Sequence, residues 1–94
     1  MFLQIGQIVY SKAGRDSGAL FVVVAVDGDF AYIVNGADRP LARAKKKKSR
    51  HIQPTNHINQ AIAAKLTSGA YVNDSEIVKL LKAYKPESKE VMHV

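Results

Sequence analysis

Cysteine is absent from this chain of 94 residues, so disulfide bonds and thiolate metal sites are excluded. The lack of cysteine fits a cytoplasmic protein, and that location is expected. No run of 18 or more apolar residues is present, so no membrane-spanning helix is expected. The first residues lack the basic and long apolar regions of a secretory signal peptide, and none is expected.

Groups suited to catalysis are also scarce. Ser11, Ser17 and Ser49 have no nearby base in the sequence, and the carboxylates are few and scattered. A chain this short leaves little room for a deep pocket. The three histidines, at positions 51, 57 and 93, do not have the spacing of metal ligands. We therefore expect neither an enzyme nor a bound metal or cofactor.

Positive charge is abundant, and it is concentrated in one segment. The formal net charge is +6, and residues 39–50 contain seven bases and no acid. The seven bases are Arg39, Arg43, Lys45, Lys46, Lys47, Lys48 and Arg50. Such a segment is typical of phosphate binding, because each neutralised phosphate releases condensed counterions. Alternatives are a solubilising surface, a nuclear import signal or, less favoured without an amphipathic helix, a contact for an anionic membrane.

The first half of the chain has the pattern of short β-strands. Runs rich in β-branched and aromatic residues occupy positions 5–10, 20–26 and 30–34. Asp27-Gly28-Asp29 predicts a hairpin between the second and third strands. A fourth strand is predicted at residues 39–42 and a short fifth strand at residues 51–53, ended by Pro54. Five strands in so short a segment favour a small, strongly bent barrel over a two-sheet sandwich.

The second half has a helical period. Apolar residues recur at spacings of three and four, at positions 58, 61, 62 and 66. Thr55 or Asn56 is the expected N-cap of this helix, and Gly69 its C-terminal stop. A second helix is predicted to begin with a capping box formed by Asn73 and Glu76, and to end at Pro86.

These patterns predict a mainly β fold with an α appendage. The expected organisation is a small five-stranded barrel at residues 1–54, a helical hairpin at residues 55–86 and a tail at residues 87–94. The helices are too short to be stable alone in water, so they must pack on each other, on the barrel or on a partner. The sequence leaves open which of these surfaces they cover.

The loop between the first two strands is rich in glycine. Gly14 and Gly18 permit a sharp turn and the close approach of a ligand, and Lys12 and Arg15 project from the loop. Asp16 is expected to cap the turn or to pair with a nearby base. The loop is not a nucleotide-binding P-loop, because the required glycine spacing and the Gly-Lys-Ser/Thr ending are missing.

The first strand and this loop resemble a KOW motif, through Gly6-x-x-Val9-x-Ser11-x-Ala13-Gly14-Arg15-Asp16-x-Gly18. KOW motifs occur in ribosomal proteins and in transcription elongation factors. Residues 4–52 look like the small bacterial KOW-domain proteins, which are grouped with large-subunit ribosomal proteins of archaea and eukaryotes. The resemblance implies an SH3-like barrel that contacts RNA, with Gly14 and Gly18 as the motif glycines. The motif often has a further glycine where the second strand begins, and this chain has Ala19-Leu20 there.

Taken together, the motif and the basic segment predict a non-catalytic RNA-binding protein associated with ribosomal RNA. The expected contacts are Lys12, Arg15 and the seven bases of residues 39–50, with this segment as an extended arm of roughly 40 Å. Its lysines and arginines suit phosphate contacts without base reading. Tyr10, Phe30 and Tyr32 are expected to be packing residues rather than stacking platforms. The alternative is an adaptor module that contacts a ribosomal protein or RNA polymerase, and the oligomeric state is left open.

Overall fold

The computed structural model describes residues 2–85, which form five strands and two α-helices. The elements are β1 (Gln7–Ser11), β2 (Leu20–Asp27), β3 (Phe30–Val34), β4 (Lys45–Lys48), β5 (Ile52–Ile58), α1 (Gln60–Ser68) and α2 (Asp74–Ala83). Two 3-10 turns, Leu41–Arg43 and Ser49–His51, lie on either side of β4. The predicted class, mainly β with a helical appendage, is confirmed. The predicted tail at residues 87–94 lies outside the described residues.

The five strands form one antiparallel sheet in the order β4-β3-β2-β1-β5. Strand β2 lies at its centre and is the longest strand, with eight residues. Its register with β3 shifts between Val23 and Ala25, so Val24 is bulged. A bulge bends a strand and increases its twist, which allows the sheet to curl around one of its faces. The arrangement is consistent with a small barrel-like fold.

The two faces of the sheet have separate apolar clusters, because successive side chains on a strand point in opposite directions. The inner cluster consists of Val9, Phe21, Val23, Ala31, Ile33 and Ile52. On the outer face, Val22 and Val34 pack with Ile62 of α1 and Ile77 of α2. The helices therefore pack on the sheet, which the sequence left open.

Two glycines allow the helices to approach the sheet closely. A Cβ atom on Gly6 would lie 2.8 Å from the Cβ of Ala63 in α1. A Cβ atom on Gly36 would lie only 2.5 Å from the carbonyl oxygen of Asp74, at the start of α2. The Asp74 carboxylate also accepts a hydrogen bond from the backbone N–H of Leu41, at 2.7 Å. Helix α2 is thus held against the loop that leads into β4.

The prediction of a fourth strand at residues 39–42 is wrong. Leu41–Arg43 forms a 3-10 turn, in which the N–H of Arg43 donates to the Pro40 carbonyl at 2.9 Å. The Leu41 N–H that a strand would use is bonded to Asp74 instead. The fourth strand is Lys45–Lys48, in residues that strand propensity alone does not favour.

The fifth strand is longer than predicted, and it runs through Pro54 to Ile58. Proline is tolerated there because β5 lies at an edge of the sheet and pairs on one side only. The N-cap predicted at Thr55 or Asn56 is wrong, because both residues belong to β5. The cap of α1 is Asn59, whose Oδ1 accepts a hydrogen bond from the Ile62 N–H at 3.0 Å.

The other helix boundaries predicted from local chemistry are confirmed. Gly69 follows α1 in the left-handed conformation, with φ of 78°. Asn73 and Glu76 form a reciprocal capping box at the start of α2. Helix α2 ends at Ala83, and the predicted stop at Pro86 lies beyond the described residues.

Candidate nucleic-acid interface

The four consecutive lysines form an edge strand, and they are divided between its two faces. The Cα pairs across β3 and β4 are Ile33–Lys45, Tyr32–Lys46, Ala31–Lys47 and Phe30–Lys48. Lys45 and Lys47 therefore lie on the side of the inner core, and Lys46 and Lys48 lie on the outer side. The prediction of an extended basic arm is wrong, since the segment is a paired strand between two 3-10 turns.

The two inner lysines converge on Asp16 of the glycine-rich loop. Lys45 Nζ lies 3.0 Å from Asp16 Oδ2, and Lys47 Nζ lies 3.4 Å from Asp16 Oδ1. Lys47 also donates to the carbonyl oxygen of Ala13 at 2.8 Å, and its side chain is only 8% exposed. Ser11 Oγ donates to Asp16 Oδ1 at 2.7 Å. We call Ser11, Asp16, Lys45 and Lys47 the Asp16 cluster; it ties β4 to the loop, and it confirms the predicted pairing of Asp16 with a base.

The Asp16 cluster favours the charged carboxylate. Partial burial acts to raise the pKa of Asp16, but the hydrogen bonds from Ser11 and Lys45 and the charges of Lys47 and Lys45 outweigh it. The pKa is lowered from its ordinary value of 3.8 to about 2. Asp16 therefore remains ionised, and its charge is used to hold two cations on the inner side of the strand.

Acid should weaken the fold through Asp16. Because its pKa is lower in the folded state than in the unfolded state, its contribution is fully present above the unfolded pKa and is lost as the pH falls towards 2. Allowing for solvent screening, the contribution is about 1 kcal/mol. The test is the difference in free energy of unfolding between the natural protein and Asp16→Asn, measured from pH 2 to pH 7.

That difference should be largest near neutral pH and should shrink between about pH 4 and pH 2. Glu76, whose pKa is lowered by its hydrogen bond from Lys65, also titrates in acid, but it is present in both proteins and cancels. A difference that is constant across the whole range would show that the Asp16 charge does not contribute.

The two outer lysines lie beside aromatic rings. Lys46 Nζ is 4.6 Å from the ring centroid of Phe30 and 6.0 Å from that of Tyr32. Lys48 Nζ is 6.0 Å from the Phe30 centroid. Both lysines are exposed and both rings are half-buried. We call these four residues the aromatic–lysine face; no carboxylate of residues 2–85 lies within 4 Å of either ammonium group.

The other predicted contact residues are arranged around the same strand. Lys12, Arg15, Arg43 and Arg50 are exposed, and Arg39 is half-buried. The backbone N–H of Lys12 donates to the carbonyl oxygen of His51 at 2.8 Å, which places the loop beside the turn that carries Arg50. The structure therefore brings the glycine-rich loop and the basic segment together.

The motif glycines both occupy the left-handed region. Gly14 has φ of 85° and Gly18 has φ of 88°. The Gly14 position is also close to the Asp16 cluster, since an added Cβ would lie 3.8 Å from Lys47 Nζ. These glycines shape the loop so that the carbonyl of Ala13 and the carboxylate of Asp16 both reach Lys47.

Other kinds of site have less support in the described part of the chain. Within residues 2–85, no group of three His, Asp or Glu side chains is placed to hold a metal ion. A depression of 370 Å³ lies away from β4, between the end of β5 and the last turn of α2. Neither α1 nor α2 is long and apolar enough to cross a membrane.

Comparison with known proteins does not identify a family. No protein-family model matches this chain, and no curated protein matches its sequence. The resemblance to KOW-domain proteins therefore stays a prediction from the motif residues.

Proposed function

We propose that this chain is a non-catalytic RNA-binding protein that acts in the cytoplasm, with ribosomal RNA as its ligand. The observation that carries the proposal is the division of the lysine run. The neighbouring acid, Asp16, pairs with the two inner lysines, and the outer pair Lys46 and Lys48 is left facing solvent. Exposed lysines that are not held in ion pairs are suited to a polyanion.

Fewer bases are accessible to RNA than the nine contact residues predicted from the sequence. Of these nine bases, six are exposed: Lys12, Arg15, Arg43, Lys46, Lys48 and Arg50. Lys47 is buried against Ala13 and Asp16, so its role in this arrangement is structural. Lys45 is 28% exposed and is paired with Asp16, which leaves it a minor contributor.

Ribosomal RNA is proposed as the ligand from the KOW resemblance together with this surface. The Asp16 cluster supports the link, because it connects the motif loop to the basic strand. That loop lies on the inner side of β4, and Lys46 and Lys48 lie on its outer side, so an RNA backbone that contacts both must pass over the sheet edge that β4 forms. Phosphate contacts fix the position of such a ligand without selecting its sequence, so binding to many RNA sequences is expected.

RNA binding should depend strongly on salt. If about four of the exposed bases meet phosphates, the logarithm of affinity should fall with the logarithm of salt concentration with a slope of about −3. The measurement is binding to a labelled ribosomal RNA fragment between about 50 and 300 mM salt, the range over which such slopes are resolved. A slope near zero would remove the proposal.

A pull-down separates this function from an adaptor role. If the chain binds RNA directly, nuclease treatment of the lysate should abolish capture of ribosomal components by the tagged protein. Capture of a ribosomal protein or RNA polymerase that persists after nuclease treatment would favour a protein-interaction module instead.

A further inference from the structure

The aromatic–lysine face has a composition that phosphate binding alone does not require. Phe30 and Tyr32 are two residues apart on β3, so their side chains lie on the same face, with Cα atoms about 7 Å apart along the strand. Neither residue belongs to the apolar clusters on either side of the sheet. Half-buried rings on an open sheet face are a platform on which unpaired bases stack in other RNA-binding modules.

The lysine over the Phe30 ring is compatible with base stacking. An exposed cation–π contact is weaker than the stacking of a base on an aromatic side chain. A base can therefore displace Lys46 from the ring, and the displaced ammonium remains within reach of the adjoining phosphate. Lys46 would then contact the Phe30 ring in the free protein and a phosphate in the complex.

The charges on either side of the two rings determine where the RNA backbone should lie. Lys46 and Lys48 lie on the β4 side of Phe30 and Tyr32. On the other side, the residue opposite Phe30 is Asp27 of β2, which is exposed. A phosphate backbone is attracted to the first side and repelled from the second. The backbone should therefore follow β4, with its bases turned inwards over β3.

A duplex does not fit this arrangement. In an A-form helix the bases are stacked on one another, and only their edges and the 2′-hydroxyls are accessible from the minor groove. The rings of Phe30 and Tyr32 are half-buried in a sheet and cannot insert between paired bases. They can only receive the faces of bases that are already unpaired.

We infer that the aromatic–lysine face binds unpaired bases, so that the RNA is single-stranded where it contacts β3 and β4. This inference rests on the proposed RNA-binding function and gives its ligand class. It differs from the expectation drawn from the sequence, in which RNA is recognised by shape and phosphates without base contacts.

The test compares three labelled ligands of equal length with the natural protein: a uridine oligonucleotide, an abasic ribose-phosphate oligomer and a duplex. The first two carry the same phosphates, so their difference isolates the bases. The uridine ligand should bind about 5- to 30-fold more tightly than the abasic ligand. It should also bind more tightly than the duplex at equal salt.

Two variants test whether the rings on β3 cause the preference for the uridine ligand. Phe30→Leu/Tyr32→Leu, which removes both rings, should bring the uridine and abasic affinities to within about twofold, without changing the slope against salt. Tyr71→Leu is the control, because Tyr71 is an aromatic residue that is 80% exposed, lies between α1 and α2 and is not part of the aromatic–lysine face. It should leave the preference for uridine intact. Circular dichroism establishes that each variant is folded, and the ligand comparison with the natural protein needs no variant.

The outcomes separate this inference from the proposed function. Equal binding of uridine and abasic ligands with a slope near −3 would overturn base stacking and leave RNA binding in place. A preference for the duplex would also overturn it, as would a preference for uridine that survives the loss of both rings in Phe30→Leu/Tyr32→Leu. No binding to any of the three ligands would overturn both proposals.

Discussion

Gly36→Ala should lower the free energy of unfolding by about 3–4 kcal/mol. An added Cβ would lie 2.5 Å from the Asp74 carbonyl oxygen and 2.9 Å from Val78 Cγ2. Gly36 also has φ of 79°, where alanine is strained. Helix α2 cannot move away without loosening Ile77, which is fully buried.

Gly69→Ala is the control for this prediction. Gly69 has nearly the same φ, 78°, but no neighbouring atom lies within 4 Å of an added Cβ. Gly69→Ala should therefore lower the free energy of unfolding only by the backbone strain of alanine at this φ, about 1–2 kcal/mol. Urea unfolding followed by circular dichroism measures both variants. For a domain of this size each kcal/mol corresponds to about 4–8 °C in Tm. Equal losses in the two variants would contradict the close packing of α2 on the turn after β3.

The double variant Lys45→Gln/Lys47→Gln should lose about 2–3 kcal/mol of stability. It removes both cations that face Asp16 and the hydrogen bond from Lys47 to Ala13. The Asp16 side chain is only 16% exposed, so its charge would be left poorly compensated. Removal of one partner of a partly buried ion pair lowers the free energy of unfolding by more than the intact pair contributes to it.

Lys46→Gln/Lys48→Gln is the matched variant, because it changes the same number of charges on the same strand. It loses only exposed cation–π contacts, so its stability should fall by about 1 kcal/mol or less. The free energies of unfolding of the two variants, measured in urea under the same conditions, give the comparison. Equal losses would mean that the Asp16 cluster does not hold β4 in place.

Local chemistry in the sequence was sufficient for much of the fold. The valine-rich and aromatic runs identified the first three strands, and Asn73 with Glu76 and Gly69 identified helix ends. Each of these signals acts within a few residues of chain. The errors fall where a distant contact decides the structure, as when Asp74 binds the N–H of Leu41, 33 residues away, and keeps residues 41–43 out of the sheet.

The candidate site could be predicted only in part. The concentration of positive charge in residues 39–50 was visible in the sequence. Which lysines face the inner core and which face outwards was not visible, because a run of four lysines does not reveal that it forms a strand. Once Lys45–Lys48 is paired with β3, the alternation follows directly. The partner of the inner lysines, Asp16, is 29 residues from Lys45 and belongs to another loop, so no local pattern connects them.

Edge protection is a second consequence of the outer lysines. Strand β4 is at the edge of the sheet, and lysines on an edge discourage pairing with another copy of the chain. This role explains charge on β4, but it does not explain why the outer lysines are placed over Phe30 and Tyr32. The proposed RNA binding would account for both features.

The most direct test of the account is the RNA affinity of the two double lysine variants as a function of salt. Each variant lowers the formal net charge from +6 to +4, so bulk charge is matched. Lys46→Gln/Lys48→Gln should flatten the slope by about 1.4, or 0.7 for each lost phosphate contact on a single strand. Lys45→Gln/Lys47→Gln should keep the slope of the natural protein under conditions in which it remains folded. Equal flattening in both variants would contradict the division of the lysine strand into a structural face and a binding face.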